Sequence, residues 1–557
     1  MTRMLGKHAL AQMLVAEGVE YIFGNPGTSE TPFLDGLQDF PQLRYIQALQ
    51  EGTAVGMADG YARATGKPAF ANIHIAGGLA NGISGLYNAF RGGTPLVLTA
   101  GNSDTRMLIS EPVLSGDLVE MTQQYTKWSI EIRHASDIPV AIRRAFKEAK
   151  TPPTGPVFVS FPWDTLDEEV DFEPVASSDG YFRIRPDAAA VDRATELLAG
   201  AENPVIVVGD RVAQSNAVEQ VVRVAEQTGA RVVATSYSEV NFPTSHPQWG
   251  GMLNTNSPAT ARQFQNADVV MAVGTDVFAS FLYVDVPFLN PDTKLIHLDS
   301  NYWEIEKSYP TEVGIMADPA AGMADLAVSL ESNLTGGQRE AAATRAATLA
   351  AARERDAQRY QERIAATWDN SPMPVERMMH ELADAVPPNT IIADEAVTSR
   401  PAVNRAFDFE KPGDIYGIRG GALGWAMPGA LGVKLAHPDR PVLAVVGDGA
   451  SMYTVQALWT ASRYNIPVVY AICNNQAYRI LKVNMEVYLR DMLDDRERDS
   501  DYVGMDFANR LDLAMMAQAM GVHGERVDDP AEIAPAIQRA FESGKPALLD
   551  ITISGAL

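Results

Sequence analysis

Residues 441–475 read PVLAVVGDGASMYTVQALWTASRYNIPVVYAICNN. The two apolar segments, PVLAVV and PVVYAIC, have the length and β-branched content of buried parallel strands, and MYTVQALWTASRY between them predicts a helix. A strand, a helix and a second strand within about 30 residues form one crossover unit. Asp448 follows the first strand, and Asn475 follows the second, 27 positions later (475 − 448 = 27). Because neighbouring parallel strands end at the same edge of a sheet, we expect Asp448 and Asn475 to lie side by side.

Similar apolar segments recur along the whole chain and end in Gly, Pro, Asp or Asn. Further examples are VEYIFGNPG, PAFANIHIA and TPLVLTAGN near the start, NPVIVVGD, ADVVMAVGTD and TKLIHLDS in the middle, and NTIIADEA and PALLDITIS near the end. Strands that alternate with helices predict open parallel sheets with helices on both faces. The sequence therefore predicts an α/β fold of three doubly wound parallel-sheet domains. We expect domains over residues 1–175, 190–335 and 371–557, with a linker helix over 336–370.

Composition and charge narrow the classes of function. The 557 residues include 70 acidic and 45 basic side chains, a formal net charge of -25, which disfavours nucleic-acid and anionic-lipid partners. The single cysteine, Cys473, has no internal disulfide partner, and its apolar neighbours predict a buried, inert thiol. One cysteine in the whole sequence fits a reducing cytoplasm. The sequence contains no run of about 18 apolar residues, so we expect no membrane-spanning helix.

The chemistry of the first motif indicates a metal and a phosphate. A carboxylate and an amide carbonyl are hard oxygen ligands that suit Mg²⁺ or Ca²⁺. The glycines of GDG allow close backbone approach, and the start of a helix offers free N–H groups to a phosphate. Open α/β sheets bind ligands beyond the carboxyl ends of their strands, where these residues fall.

GDG followed about thirty residues later by NN resembles the cofactor motif of the thiamine-diphosphate-dependent enzymes, which include acetolactate synthases, pyruvate decarboxylases and benzoylformate decarboxylases. FGNPGTSETPFL, LQEGTAVGMADGYARATGKPAF and RGGALGWAMPGALG extend the resemblance over the chain, and it is strongest to benzoylformate decarboxylases. It implies pyrimidine-binding, central and diphosphate-binding domains in that order. It also implies that Asp448, Asn475 and the backbone carbonyl of Ala477 hold Mg²⁺ or Ca²⁺.

The same resemblance implies the residues that contact thiamine diphosphate. Gly421 would offer its carbonyl to the pyrimidine amino group, and Leu423 would support the bent cofactor, although core packing alone also explains a leucine there. The remaining contacts are expected at Thr398, Gly449, Ala450, Ser451 and Tyr478.

Glu51 lies in LQEGTAVGMADGYAR, at the expected start of a helix. From the residues alone, it is an acid in the first turn that stabilises the helix dipole. The resemblance implies a catalytic role, in which Glu51 promotes the imino tautomer of the aminopyrimidine and so the C2 ylid. Because Glu51 and Asp448 fall in different domains, the family pattern implies a site between subunits. We therefore expect at least a homodimer, and by the family pattern a homotetramer.

Two polar residues follow strands of the first domain, Thr28 in NPGTSE and His74 in ANIHIAGG. Benzoylformate decarboxylases carry a serine and a histidine there, which contact the substrate carboxylate and move protons. The sequence departs from that family at Phe281, which aligns with a second catalytic histidine. The phenylalanine side chain has no group that can donate or accept a proton in catalysis.

Further residues are expected to shape the substrate pocket. Ile480 and Asn484 follow the metal-binding motif, and Tyr453 is expected to border the site. A branched Ile480 would narrow the pocket, and Asn484 would make it more polar. We therefore expect a 2-oxo acid that is smaller or more polar than benzoylformate.

Three classes of function remain open. A non-oxidative 2-oxo-acid decarboxylase is favoured, and the runner-up is a carboligase that joins the same enamine intermediate to an aldehyde or a second 2-oxo acid. Phe281 favours the runner-up. A non-catalytic protein is disfavoured because Glu51, Asp448 and Asn475 are all present. FAD is not expected, because NPVIVVGDRVAQ lacks the G-x-G-x-x-G spacing.

Overall fold

The computed structural model of the protein describes residues 2–180, 183–235 and 238–557. Over these ranges, the chain forms two compact units. The first unit comprises the described residues of 1–180 together with 368–407 and 416–557, and the second comprises those of 181–367 together with 408–415. Among the described helices, none is long and apolar enough to cross a membrane.

The first part of the first unit contains a six-stranded sheet and its helices. The strands are β1 (Thr2–Leu5), β2 (Tyr21–Asn25), β3 (Arg44–Gln47), β4 (Ala69–Ile73), β5 (Leu96–Asn102), β6 (Ser129–Glu131), β7 (Val157–Pro162) and β8 (Glu169–Phe172). The helices are α1 (Gly6–Ala16), α2 (Thr31–Leu37), α3 (Glu51–Thr65), α4 (Ala76–Gly92), α5 (Leu118–Thr122), α6 (Ile138–Lys150) and α7 (Trp163–Asp167). The sheet order is β3-β2-β4-β5-β7-β6, and β1 pairs with β8 apart from it.

The second unit contains the central sheet, ordered β11-β10-β9-β12-β13-β14. Its strands are β9 (Val205–Val208), β10 (Arg231–Ala234), β11 (Trp249–Met252), β12 (Val269–Val273), β13 (Lys294–Asp299) and β14 (Val313–Met316). Its helices are α8 (Ala188–Gly200), α9 (Asp210–Gln214), α10 (Val218–Thr228), α11 (Pro319–Asn333) and the 30-residue α12 (Gly336–Ala365).

The remainder of the first unit contains the third sheet, ordered β16-β15-β17-β18-β20-β19. Its strands are β15 (Ile391–Glu395), β16 (Ile415–Gly417), β17 (Val442–Gly447), β18 (Val468–Asn474), β19 (His523–Val527) and β20 (Ala547–Thr552). Its helices are α13 (Val375–Ala385), α14 (Arg400–Ala406), α15 (Ala426–Ala436), α16 (Asp448–Ser451), α17 (Ala457–Tyr464), α18 (Arg479–Glu486), α19 (Leu513–Ala519) and α20 (Ile533–Glu542).

The predicted fold class, three doubly wound parallel sheets, is confirmed. In both sheets of the first unit the strand order reverses near one edge, between β2 and β4 in one sheet and between β15 and β17 in the other. Adjacent loops diverge at such a point and leave a crevice beyond the carboxyl ends of the strands. The two candidate sets of site residues follow these strands.

One local prediction is wrong. The segment MYTVQALWTASRY does not form a single helix, because α16 ends at Ser451 and α17 begins only at Ala457. The turn between them contains Thr454, whose hydroxyl donates to the Gly424 carbonyl at 2.7 Å. That bond and the low helix propensity of β-branched residues favour the break.

Helices α3 and α15 cross at very short range, and glycine makes the crossing possible. A Cβ atom at Gly60 would lie 2.2 Å from the Gly429 carbonyl oxygen, and one at Gly432 would lie 2.0 Å from the Met57 carbonyl oxygen. The core around this crossing contains buried residues from both sheets of the first unit, including Phe23 and Tyr470. The crossing therefore joins the two sheets into one body.

We expect Gly432→Ala to lower the thermal unfolding midpoint of the protein. The added methyl group forces α3 and α15 apart, and overpacking of this kind costs about 1–3 kcal/mol. Gly77→Ala is the matched control, because a Cβ atom at Gly77 in α4 meets nothing within 4 Å. Equal midpoints for the two variants, measured by differential scanning calorimetry, would contradict the close crossing.

Candidate active site

Glu51 is the first residue of α3 and is buried, with 6% of its surface exposed. Its Oε1 accepts a hydrogen bond from Asn25 Nδ2 at 2.9 Å, and its Oε2 accepts one from Asn81 Nδ2 at 3.0 Å. Asn25 ends β2, and Asn81 lies in α4. Two neutral amides therefore fix the carboxylate at the start of the helix, where the dipole also favours a negative charge.

His74 follows β4 at the same edge of the sheet. Its Nδ1 lies 3.0 Å from Glu30 Oε2 and 2.9 Å from Ser29 Oγ. The Glu30 carboxylate is almost fully buried and also accepts from Gly101 N at 2.7 Å and from the Ser29 hydroxyl at 2.8 Å. Since a carboxylate only accepts, Nδ1 carries the imidazole proton of the neutral ring and Nε2 is left as the acceptor.

His74 and Glu51 are neighbours, separated by a glycine. A Cβ atom at Gly78 would lie 2.7 Å from Glu51 Oε1 and 2.8 Å from His74 Cβ. Gly27 is restricted in the same way, because its Cβ would lie 2.1 Å from His74 Nδ1. These glycines let the carboxylate and the imidazole approach each other beyond β2 and β4.

Thr28 lies in the loop after β2, and its side chain is exposed. The hydroxyl that contacts His74 belongs to Ser29. The proposed contact of Thr28 with substrate stays a prediction.

The hydrogen-bond partners of Glu51 and His74 were not identified from the sequence; they are Asn25, Ser29, Glu30 and Asn81. The position of Glu30 could have indicated a functional role, because it is an acid in an otherwise uncharged loop directly after a buried strand.

Asp448 and Asn475 lie together at the carboxyl edge of the third sheet, as the crossover predicts. Strands β17 and β18 are parallel neighbours, and Asp448 Oδ2 accepts from Gln476 N at 2.6 Å. Asn475 Oδ1 accepts from Ala477 N at 3.0 Å, in a turn where Gln476 has a φ of 58°. The Asp448 carboxylate therefore contacts the short turn that contains Asn475, Gln476 and Ala477.

The surroundings of Asp448 fit a divalent cation. Only 3% of the residue is exposed, and burial raises the pKa of its carboxyl to about 6. Within the described ranges, no lysine, arginine or histidine forms an ion pair with it. A buried carboxylate next to an amide oxygen and lacking a cationic partner is the donor chemistry that Mg²⁺ and Ca²⁺ prefer.

The segment before α15 contains Gly421 and Leu423, and its backbone is held by hydrogen bonds from another helix. Gly421 has a φ of 91° and Leu423 is half-buried. Asn88 of α4 fixes the residue between them, donating to the Ala422 carbonyl at 2.7 Å and accepting from Ala422 N at 3.0 Å. The backbone of this segment is therefore positioned from the first part of the chain.

The buried carboxylate of Glu395, at the end of β15, holds the start of α15. It accepts from Gly424 N and Ala426 N, each at 2.7 Å, and burial raises the pKa of Glu395 to about 7. Glu395 was not identified from the sequence. Thr398 lies in the turn that follows it and is half-buried.

The remaining predicted cofactor contacts surround Asp448. Gly449 packs on Tyr478, whose ring would lie 2.6 Å from a Cβ atom at Gly449. Ala450 is almost fully buried, and the Ser451 hydroxyl donates to the Asp448 carbonyl at 2.7 Å.

The residues predicted to shape the substrate pocket lie at different places. Tyr453 is 53% exposed and lies next to Tyr478. Ile480 and Asn484 are four positions apart on α18 and therefore share one helix face. Phe281 lies in a loop of the second unit with 86% of its surface exposed, and its place in the substrate pocket stays a prediction.

The site residues thus form two groups within the first unit. One group surrounds Glu51 and His74, and the other surrounds Asp448 and Asn475. Among the described residues, no hydrogen bond or ion pair joins these four side chains across the two groups.

Comparison with known proteins identifies the family. Residues 4–125, 191–326 and 396–551 match the N-terminal TPP binding, central and C-terminal TPP binding domains of the thiamine pyrophosphate enzymes. A benzoylformate decarboxylase from Pseudomonas aeruginosa is 30% identical over 97% of this chain and 97% of its own length. A probable acetolactate synthase large subunit from Methanocaldococcus jannaschii is 28% identical over 99% of this chain and 92% of its own.

A solved structure supports the same assignment. Benzoylformate decarboxylase from Polynucleobacter necessarius superposes with a TM-score of 0.85 at 25% identity, covering 99% of each chain. The chain belongs to the thiamine pyrophosphate enzymes and is a thiamine-diphosphate-dependent lyase or carboligase of the decarboxylase and acetolactate synthase type.

Proposed function

We propose that the protein is a non-oxidative decarboxylase of a small 2-oxo acid, dependent on thiamine diphosphate and a divalent metal ion. The observation that carries this proposal is the pair formed by Glu51 and His74, two proton-transferring groups beside one glycine at the switch point of the first sheet. The benzoylformate decarboxylases among the similar proteins support the choice of reaction.

Asp448, Asn475 and the carbonyl of Ala477 would hold Mg²⁺ or Ca²⁺, and the ion would neutralise the buried carboxylate. The backbone from Gly449 to Ser451 would contact the diphosphate group, with Thr398 on the neighbouring turn. Thiamine diphosphate, when bound, supplies a carbon nucleophile and an electron sink for the bond next to the carbonyl.

The protein groups would move protons around that cofactor. Glu51, fixed by two asparagine amides, would hydrogen-bond the aminopyrimidine ring. His74 would present Nε2 to the substrate, because Glu30 and Ser29 hold the ring through Nδ1. Thr28 would contribute a hydroxyl to the substrate carboxylate. General acid–base steps of this kind contribute about 10²–10⁴ in rate.

The two groups of residues would meet between subunits. In this proposal, Glu51 and His74 of one subunit face Asp448 and Asn475 of another, so the active enzyme is at least a homodimer. The lack of a direct hydrogen bond between the two groups among the described residues agrees with this arrangement.

A carboligase is the second candidate function, and Phe281 favours it. Benzoylformate decarboxylases have a second catalytic histidine where this chain aligns Phe281, and a phenyl ring delivers no proton. With protonation slowed, capture by an aldehyde or a second 2-oxo acid would compete.

A product assay should distinguish the two reactions. With thiamine diphosphate and Mg²⁺, we expect short 2-oxo acids to give CO₂ and free aldehyde at the same rate with or without an added aldehyde acceptor. Turnover only with acceptor, giving a 2-hydroxy ketone, would identify a carboligase.

Because Ile480 is expected to narrow the pocket, we expect short 2-oxo acids to be preferred over benzoylformate. Ile480→Ala should shift the ratio of kcat/KM values toward benzoylformate. A tenfold preference for benzoylformate would refute the expected pocket size.

Glu30 should act only through His74. We expect Glu30→Gln to lower kcat/KM by about tenfold or more, because the imidazole loses the carboxylate that fixes its tautomer and orientation. In a His74→Ala background, the same change should have little further effect. A double-mutant cycle measures this coupling, and Glu120→Gln, at an exposed position, is the control. Additive losses would show that Glu30 has a separate structural role.

Asp448→Asn should weaken metal activation. We expect the Mg²⁺ concentration for half-maximal activity to rise at least about tenfold, because a charged ligand becomes neutral. Asp501→Asn, also in the third part of the chain but exposed, should leave the metal requirement unchanged. An unchanged Mg²⁺ titration for Asp448→Asn would place the metal elsewhere.

A further inference from the structure

A cavity of about 290 Å³ lies at the amino edge of the central sheet, the edge opposite the carboxyl ends of its strands. It is formed by the starts of β9 and β10, the segment before β12, and one face of α12. Three arginines line it, Arg231, Arg262 and Arg345, and no acidic residue is among its lining residues in the described part of the chain.

Two of these arginines are held in place by backbone carbonyls. Arg231 Nη2 donates to the Gln263 carbonyl at 2.6 Å, and Arg345 Nη2 donates to the Thr228 carbonyl, the last of α10, at 2.7 Å. The Arg345 bond caps α10, and the Arg231 bond holds the segment before β12. These bonds do not use Arg345 Nη1 or Arg231 Nη1 and Nε, and Arg262 has no protein acceptor among the described residues.

Among the residues that the structure describes, none forms an ion pair with any of the three guanidiniums. The nearby carboxylate of Asp268 accepts from Glu202 N at 2.6 Å and from Asn203 N at 2.9 Å, and forms no ion pair with an arginine in the described ranges. Burial lowers the pKa of Arg231 and of Arg345, and for Arg345 the negative charge of Asp268 offsets part of that effect.

Arg211, in the same unit, is a useful contrast. It lies at the carboxyl edge of the central sheet and forms two bonds of 2.7 Å with Asp299. In a chain of net charge -25, a partly buried arginine would be expected to have such a partner. Arg231 and Arg345 are half-buried and, like the exposed Arg262, form no ion pair among the described residues, which indicates that a ligand supplies the neutralising group.

We propose that this cavity binds the phosphate group of a small organic phosphate. A tetrahedral, multiply charged group can accept from several guanidiniums on different sides, whereas a planar carboxylate is satisfied by one or two. Leu349 and Val205 form an apolar wall for an organic moiety.

Calorimetric titration tests this site on the full-length enzyme. Inorganic phosphate is titrated at constant ionic strength into protein saturated with thiamine diphosphate and Mg²⁺, which keeps the diphosphate site filled. We expect one saturable site per chain. Arg262→Gln removes no protein hydrogen bond, so it should fold normally and weaken phosphate binding at least about tenfold. Arg355→Gln, an exposed arginine on α12, is the matched control and should not change the affinity.

Three outcomes would overturn the proposal. The first is the absence of saturable heat with the wild-type protein. The second is equal affinity in Arg262→Gln and Arg355→Gln, which would indicate an adventitious ion only. The third is tighter binding of citrate than of phosphate, with citrate binding lost in Arg262→Gln, which would assign the cavity to polycarboxylates.

Discussion

The close crossing of α3 and α15 is the constraint on which the first unit depends. Backbone meets backbone at Gly60 and Gly432, so the two six-stranded sheets share one core. Glu51 is the first residue of α3, and Gly421 and Leu423 directly precede α15. Any change in the crossing therefore moves both the Glu51 carboxylate and the segment expected to contact the cofactor. The site gains its precision from helix ends rather than from mobile loops.

Buried carboxylates define the electrostatics of the first unit. Glu51, Glu395 and Asp448 are held by N–H donors and, within the described ranges, by no cationic side chain. Glu395 ends its strand and holds the start of α15. Glu51 is fixed and faces His74 across a glycine. Asp448, at the start of α16, contacts a turn that contains further oxygen atoms able to bind a metal, so it is the carboxylate best suited to a metal ion. Hydrogen bonds to a charged group stabilise it by about 1.5–3 kcal/mol each, which helps to offset burial.

Much of this arrangement could be predicted from the sequence, and the limits have physical causes. Apolar segments with polar ends identify buried strands, and the spacing of GDG and NN places Asp448 beside Asn475. Short edge strands such as β6 and β16 were missed, because three residues carry too little pattern. The contact of Glu30 with His74 depends on a turn that brings residues 44 positions apart together, and periodicity contains no such information. The break after α16 depends on Thr454 reaching Gly424, a tertiary contact that overrides local preference.

In the proposed arrangement, Glu51 and Asp448 act together in sites shared by two subunits. Complementation tests this directly, with Glu51→Gln and Asp448→Asn chains carrying different affinity tags, produced in one cell and purified through both tags. If each site takes Glu51 from one chain and Asp448 from another, a dimer with one chain of each kind keeps one of its two sites intact, about half. We predict that fraction of wild-type activity, far above that of either variant alone. Activity no higher than the parent variants would mean that both residues act within one chain, and would contradict the account.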